Sequence, residues 1–213
     1  MKIISVHAPK AGGTSILKAL SNAFGDEFEA DNSDDPADPR SQRNIDPDSY
    51  FSRRRTLRHG IRCLHGHFHP GQFDLAGAYL FTLLRHPVEN IISIYYFWKE
   101  LPPQGQPLHD YFLSRELDIF EMASLPLLKR LYSQTYFGSF DMSRFDLIGR
   151  HDRRGEALRK LGTDTGAPID ASLRVNVTRP SPEREALMAD STAIRRLGAI
   201  LQDDIRFYEL YCG

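Results

Sequence analysis

Four short apolar runs punctuate a chain otherwise spaced like helices. Lys-Ile-Ile-Ser-Val-His fills residues 2 to 7, and the runs Ile61 to Leu64, Ala78 to Leu84 and Phe145 to Gly149 follow. Ala78 to Leu84 is apolar at nearly every position, as expected of a strand buried on both faces of a parallel sheet. Elsewhere apolar residues recur every three or four positions. Ile16, Leu17, Leu20 and Phe24 line one side of a helix that Gly25 stops. Pro87 opens another at its first turn, with Val88, Ile91, Ile92 and Tyr95 on one face and Glu89, Asn90 and Ser93 on the other. His109 to Phe137 reads as mostly helical, and Asp152 to Leu161 as a helix ending at Gly162. Ser181-Pro182-Glu183 is a helix start: a capping hydroxyl, a first-turn proline and an acid near the positive end. Ile194, Leu197, Leu201, Ile205 and Tyr208 continue as one helix or two packed on the sheet.

Strands alternating with helices predict an α/β fold: a P-loop-like three-layer domain with a central, mainly parallel sheet flanked by helices. The 213 residues fit one domain, 1–213, with a real core. Asp26 to Asp48 breaks the pattern. It is acidic and turn-rich, with no period of 3.6 or 2, and is expected to be a mobile surface loop. Four arginines follow at positions 53, 54, 55 and 58. Residues 26–60 together read as an insertion, either solvated surface or a lid and anion-binding patch.

Composition narrows the partners. Hydrophobic residues make up 41% and charged residues 26%, ordinary for a globular protein. The net charge of -1 gives no global field for nucleic acid, so any anion site is local. Cys63 and Cys212 are too few for a disulfide scaffold, and free thiols are expected. The longest apolar run is too short to span a membrane. The N-terminal run is broken by His7, Pro9 and Lys10 and makes a poor signal peptide, so the expected location is the cytoplasm.

In open α/β sheets, ligands sit beyond the C-terminal ends of the strands. Residues 7 to 15, 65 to 69 and 85 to 93 form three polar clusters at such ends. In the first, Pro9-Lys10-Ala11-Gly12-Gly13-Thr14-Ser15 joins a strand to a helix. This arrangement presents backbone N–H groups and a positive helix end to a phosphate. It is not a Walker A loop, which needs its lysine after the last glycine; here Lys10 precedes both. Ordinary ATP or GTP phosphoryl transfer is thereby disfavoured, and a turn without a ligand is the alternative. In the third cluster Arg85 ends a strand and Ser93 lies eight residues on. The helix from Pro87 to Ser93 spans about 9 Å, so both side chains can reach one phosphate. An ion-paired Arg85 and an exposed Ser93 are the alternative.

These motifs resemble those of the PAPS-dependent sulfotransferases, whose donor is 3′-phosphoadenosine 5′-phosphosulfate (PAPS). The family's 5′-phosphosulfate loop, His-x-Pro-Lys-x-Gly-Gly-Thr-Ser, is similar to residues 7 to 15. Its 3′-phosphate motif, Leu-Arg-Asp-Pro followed by a helix bearing Ser and Tyr, is similar to residues 84 to 95. His86 stands where the family has Asp. Phe145-Asp-Leu-Ile-Gly, Asn176-Val-Thr and Asp203-Asp-x-x-x-Tyr also fit the resemblance. It implies that Lys10 stabilises the sulfonate, that Pro9, Lys10, Ala11, Gly12, Gly13, Thr14 and Ser15 hold the 5′-phosphosulfate, and that Arg85 and Ser93 hold the 3′-phosphate.

Sulfonate transfer to a hydroxyl also needs a base, and histidine suits proton transfer near neutral pH. His65-Gly66-His67 resembles the His-Gly-His of glycan uronyl 2-O-sulfotransferases. By that resemblance His67 is the base and His65 a supporting or second catalytic residue. A structural role, or zinc binding with His69, is the alternative, and no metal is expected. The implied reaction moves a sulfonate from PAPS to an acceptor hydroxyl, on a glycan by the His-Gly-His resemblance, and releases 3′-phosphoadenosine 5′-phosphate (PAP). A small-molecule or lipid hydroxyl is the nearest alternative. A nucleotide-dependent kinase or a non-catalytic PAP-binding protein are the other classes. Neither nucleic acid nor a membrane span is expected as a partner, and the sequence names no oligomeric state.

Overall fold

The computed structural model describes residues 1–175 and 181–212. Among them five strands form one parallel sheet: β1 (Lys2–His7), β2 (Phe28–Asp31), β3 (Cys63–Gly66), β4 (Ala78–Leu84) and β5 (Leu147–Arg150). Their order is β2-β3-β1-β4-β5. After β1 comes α1 (Gly13–Phe24), and after β2 the short α2 (Gln42–Ile45) and α3 (Pro47–Ser52). After β4 come α4 (Pro87–Glu100), α5 (Pro107–Ser114), α6 (Ile119–Ala123), α7 (Pro126–Lys129) and a π-helical turn, Leu131–Tyr136. After β5 come α8 (Arg154–Thr165), α9 (Pro182–Ala189), α10 (Ser191–Ile200) and α11 (Gln202–Cys212). The predicted α/β class, a parallel sheet flanked by helices, is what the chain adopts.

The apolar runs explain the sheet. Ile3, Ile4 and Val6 of β1 and Leu80, Phe81, Leu83 and Leu84 of β4 are buried. Burial of such side chains stabilises by about 1.5–3 kcal/mol each. The helix α1 packs on β2 and β3, α8 on β4 and β5, and α11 on β5. Gly149 lets α8 approach. A Cβ there would lie 2.4 Å from Leu83 Cδ2 and 2.6 Å from the Ala157 side chain. The Asp146 carboxylate accepts the Leu80 N–H at 2.8 Å, which fixes where β5 joins the sheet.

Several elements depart from the sequence pattern. Residues 26 to 48, expected to be loop, contain the edge strand β2. Four residues are too few to show a period, and their acids made them read as solvated. The arginines that follow are the other half of that edge: Arg62 pairs with Glu27 at 2.8 Å, Arg58 with Glu29 at 3.5 Å and Arg55 with Asp31 at 2.7 Å. Arg54 donates instead to the carbonyl of Gly71 at 2.8 Å. Farther on, Arg43 and Asp34 form a buried ion pair at 2.8 Å, and Arg43 also donates to the Thr135 carbonyl. This segment is therefore tied to the π-helical turn.

The stretch 109–137 is helical but broken into α5, α6, α7 and the turn. Gly162 lies inside α8, which ends instead at Gly166 with φ 70°. The tail makes three helices because Asp190 caps α10, accepting the N–H groups of Thr192 and Ala193. In α4, Asn90 and Ser93 are as buried as Ile91 and Ile92. The reason is that α4 is enclosed by α6, α10 and α11 as well as by the sheet side. Asp204 is buried and accepts the N–H groups of Tyr132 and Ser133 at 2.8 and 2.9 Å, so it holds the π-helical turn. Both cysteines are buried free thiols, pushed up to about 12 by burial. No helix among the described residues is long and apolar enough to cross a membrane. The motif Asn176-Val-Thr lies outside the described residues.

Candidate functional site

All five strands deliver polar residues at their C-terminal ends, and these converge. From β1 the chain turns through Lys10, at φ 55°, and Gly12, at φ 87°, before α1 begins. A lysine in the left-handed region costs about 1–2 kcal/mol, so the loop holds this side chain under strain. The N–H groups of Ser15 and Ile16 fold onto the Gly12 carbonyl at 3.1 and 3.2 Å. The N–H groups of Gly13 and Thr14 lead the helix, where the macrodipole is positive. Gly13 has to be glycine: a Cβ there would lie 1.9 Å from His7 Nε2. The Pro9 carbonyl accepts the side-chain amide of Asn90 at 2.7 Å, which ties the loop to α4.

Ser15 has another partner than the one expected. Its hydroxyl donates to the Val175 carbonyl at 3.1 Å and accepts the Val175 N–H at 3.0 Å. It therefore holds the chain before residue 176 against the loop.

Cations gather around this loop. Arg154 and His151, just past β5, stand against Gly12, within 3.5 Å of where its Cβ would be. Arg154 donates to the Leu173 carbonyl at 3.2 Å, while among the described residues its Nε is buried without a partner. Burial lowers the pKa of Lys10, and Arg85 and Arg184 lower it further; Glu100 opposes them. Arg184 is lowered by burial and by Arg85. His151 is held at about 4, by burial and then by Arg85 and Arg154. Each nearby positive charge makes it costlier to charge the next group. Arg85 pairs with Glu89 at 3.3 Å, and its backbone N–H and carbonyl bond the Tyr132 hydroxyl at 3.3 and 3.1 Å. Ser93 is 4% exposed, and among the described residues no hydrogen bond joins it to Arg85.

The histidines form a second group. Ser5 and His65 pair across β1 and β3, and the Ser5 hydroxyl bonds His65 Nδ1 at 2.8 Å. Burial pushes His65 down to about 3. His67 is lowered by burial, while the Asp35 carboxylate pulls in the opposite direction. Its Nδ1 bonds the Tyr136 hydroxyl at 3.2 Å. The His7 ring lies 4.6 Å from that of His67 and 5.4 Å from that of His65. Burial and these two rings lower His7 well below the ordinary value. All three imidazoles are therefore neutral at pH 7, and a neutral imidazole can accept a proton. His69 bonds the Gly138 carbonyl and the Gly71 N–H, both at 3.1 Å, and shapes that turn. Among the described residues no three His, Cys, Asp or Glu side chains are placed to hold a metal ion.

A cavity of about 250 Å³ joins the two groups. Lys10 and His67 both line it; His65 does not. One wall is apolar, with Ile94, Phe97 and Trp98 of α4 facing Leu128, Leu131 and Tyr136. The other wall comes from the chain after β2, with Asp34, Asp35 and Asp38. The Lys10 ammonium sits over the Phe97 ring, 3.8 Å from its centroid.

The sequence reading missed Asn90, His151, Arg154, Arg184 and Asp35. The rule that ligands sit at strand ends points to residues 150–154 and 32–38 once β5 is extended to Arg150 and β2 is recognised. Nothing local in the sequence marks Arg184, which reaches the site from α9.

No protein-family model and no curated protein matches the sequence. Among solved structures, the chain is similar to a sulfotransferase from Alicyclobacillus acidocaldarius at 13% identity, covering 98% of both chains, with a TM-score of 0.37. It is also similar to the mouse sulfotransferase SULT7A1, determined with PAP, at 13% identity. That match covers 93% of this chain and 66% of the mouse chain, with a TM-score of 0.39.

Proposed function

We propose that the chain transfers a sulfonate group from PAPS to an acceptor hydroxyl and releases PAP. One observation carries this reading: Lys10, backed by a cluster of arginines, and a neutral His67 line the same cavity. The backbone of Pro9 to Thr14 and the guanidinium of Arg154 hold the 5′-phosphosulfate. Arg85 and Ser93 hold the 3′-phosphate. The unpartnered Nε of Arg154 and the glycine cradle fit such a group. Ser15 holds the covering chain rather than the phosphate.

His67 takes the acceptor proton as the acceptor oxygen bonds to sulfur. Lys10 meets the charge left on the bridging oxygen as the old S–O bond breaks. Positioning and preset charge do most of this work. The Tyr136 hydroxyl bonds His67 Nδ1 and fixes the ring; in the tautomer with the proton on Nδ1, Nε2 is free to take the acceptor proton. His65, bonded to Ser5 beneath the loop, is a positioning residue. The glycan acceptor rests on the His-Gly-His resemblance alone, and the small cavity favours the small-molecule hydroxyl.

The test is comparative. PAP should raise the melting temperature more than AMP, and Arg85→Ala should erase the difference; equal shifts in the unmodified protein would remove the donor assignment. His67→Ala should keep the PAP shift and lose about 10²–10⁴-fold in transfer from labelled PAPS. Transfer at full rate in that variant would put the base elsewhere.

A further inference from the structure

The charges around the cavity are not balanced. Asp34 is paired with Arg43 at 2.8 Å and Asp38 with Arg40 at 3.0 Å. Asp35 has no basic partner within 4 Å among the described residues. Its carboxylate accepts only the Ala37 N–H at 3.2 Å and the Gln106 amide at 3.1 Å. Its charge is felt by both His67 and Tyr136. Among the described residues Lys10 is the only lining cation, and it lies over Phe97 on the phosphate-loop side.

An acceptor in this cavity therefore meets Lys10 and His67, an apolar and aromatic wall, and the unpaired carboxylate of Asp35. The volume of about 250 Å³ is below the range of about 300–1,000 Å³ for drug-sized ligands. That admits one small molecule, or one residue of a larger one. A ring-bearing wall and a carboxylate both favour a cation. An anionic acceptor such as a uronyl sugar would place like charge against Asp35 in a partly dry cavity, where repulsion is strongest.

Resting on the sulfonate-transfer reading, we propose that the acceptor is a small hydroxyl compound that also carries a protonated amine, and that Asp35 selects it. Its amine replaces the missing partner of Asp35, while its hydrocarbon part lies along Trp98 and Leu131.

Three matched probes separate charge from shape: tyramine (cationic), N-acetyltyramine (neutral) and 4-hydroxyphenylpropionate (anionic). Each is titrated by calorimetry into the protein saturated with PAP. The PAP titration itself comes first, and failure of PAP to bind removes the underlying reading and this one with it. With PAP bound, tyramine should bind at least tenfold tighter than N-acetyltyramine, and the carboxylate should bind weakest. Asp35→Asn keeps the acceptor for the Ala37 N–H; it should bring tyramine down to the affinity of N-acetyltyramine, which should not change. No binding of tyramine, equal affinity for the three, or a preference that survives Asp35→Asn would each overturn the assignment while leaving the donor site standing.

Discussion

The side-chain amide of Asn90 donates to the Pro9 carbonyl at 2.7 Å, so the helix after β4 and the loop after β1 are one mechanical unit. Both ends of the proposed donor are held through this joint. Arg85 precedes the helix, and Lys10 follows Pro9.

Replacing Asn90 with Ala leaves the half-buried Pro9 carbonyl without its donor. An orphaned buried acceptor costs about 1–3 kcal/mol. Asn90→Ala should therefore lower the unfolding free energy by that amount and weaken PAP binding several-fold, although Asn90 need not touch PAP. Denaturant titration and PAP calorimetry on the same protein check the two effects together; loss of stability without loss of affinity would show that the joint does not position the loop.

Gly13 bears on the same loop from inside. A methyl group there would overlap the His7 ring at 1.9 Å. That ring cannot retreat easily, because the His65 and His67 rings lie within 5.4 Å of it. Gly13→Ala should destabilise the protein by about 1–3 kcal/mol, the usual cost of overpacking. It should also shift the His67 ring resonances in an NMR spectrum. Gly25→Ala is the contrast: nothing lies within 4 Å there, and only its φ of 52° opposes the change.

How much of this was legible follows from how local each signal is. The loop from Pro9 to Ser15 could be read because strand, glycines and helix are contiguous. Arg85 at a strand end and Ser93 on the helix after it could be placed because the proline marks where that helix begins; the pairing of Arg85 with Glu89 and the burial of Ser93 could not. The fold class followed from four apolar runs, two of them matching their strands at both ends and the other two displaced by one or two residues. The edge strand β2 was invisible, because its stability comes from pairing with β3 and from arginines more than twenty residues away. Arg58 alone looks like surface; beside Glu29 it is half of a pair. The burial of Asn90 was equally hidden, since a polar residue on a helix reads as exposed until its partner carbonyl is known. The Ser15–Val175 contact joins residues 160 apart, and no local pattern encodes it.

The buried histidines set an acid limit on stability. Burial holds His65 at about 3 and His69 at about 4, against an ordinary value of 6.5. Below pH 6.5 the unfolded chain takes up protons at these rings while the folded chain does not. The unfolded state then binds more protons, so unfolding free energy should fall as pH drops from about 6.5 toward about 3, and level off below. Urea titrations at pH 7.0, 6.0, 5.0 and 4.5 read the slope. His65→Asn retains a polar contact for Ser5 and should flatten it; an unchanged slope would mean that other groups govern acid unfolding.

Arg154 gives the sharpest separation between holding the fold and holding the donor. It donates to the Leu173 carbonyl, which is a structural contact, yet among the described residues its Nε is buried with no partner and its side chain lies against Gly12. A guanidinium kept only for structure would not leave a buried donor unmatched beside a glycine cradle, where a lost hydrogen bond carries its full desolvation cost. In the donor reading that Nε meets a phosphate oxygen, and a charge-assisted bond of this kind contributes about 1.5–3 kcal/mol. Arg154→Gln should therefore weaken PAP binding about 10- to 100-fold and reduce its dependence on salt. The stability of the free protein should change little, because the variant relieves crowding with Arg174 and His151 as it loses the Leu173 contact. Arg154→Lys keeps the charge but not the planar fork and should recover only part of the affinity. A drop in stability at full PAP affinity would instead make Arg154 a strut for residues 171–175, and would leave Lys10, Arg85 and Arg184 as the cations that meet the donor.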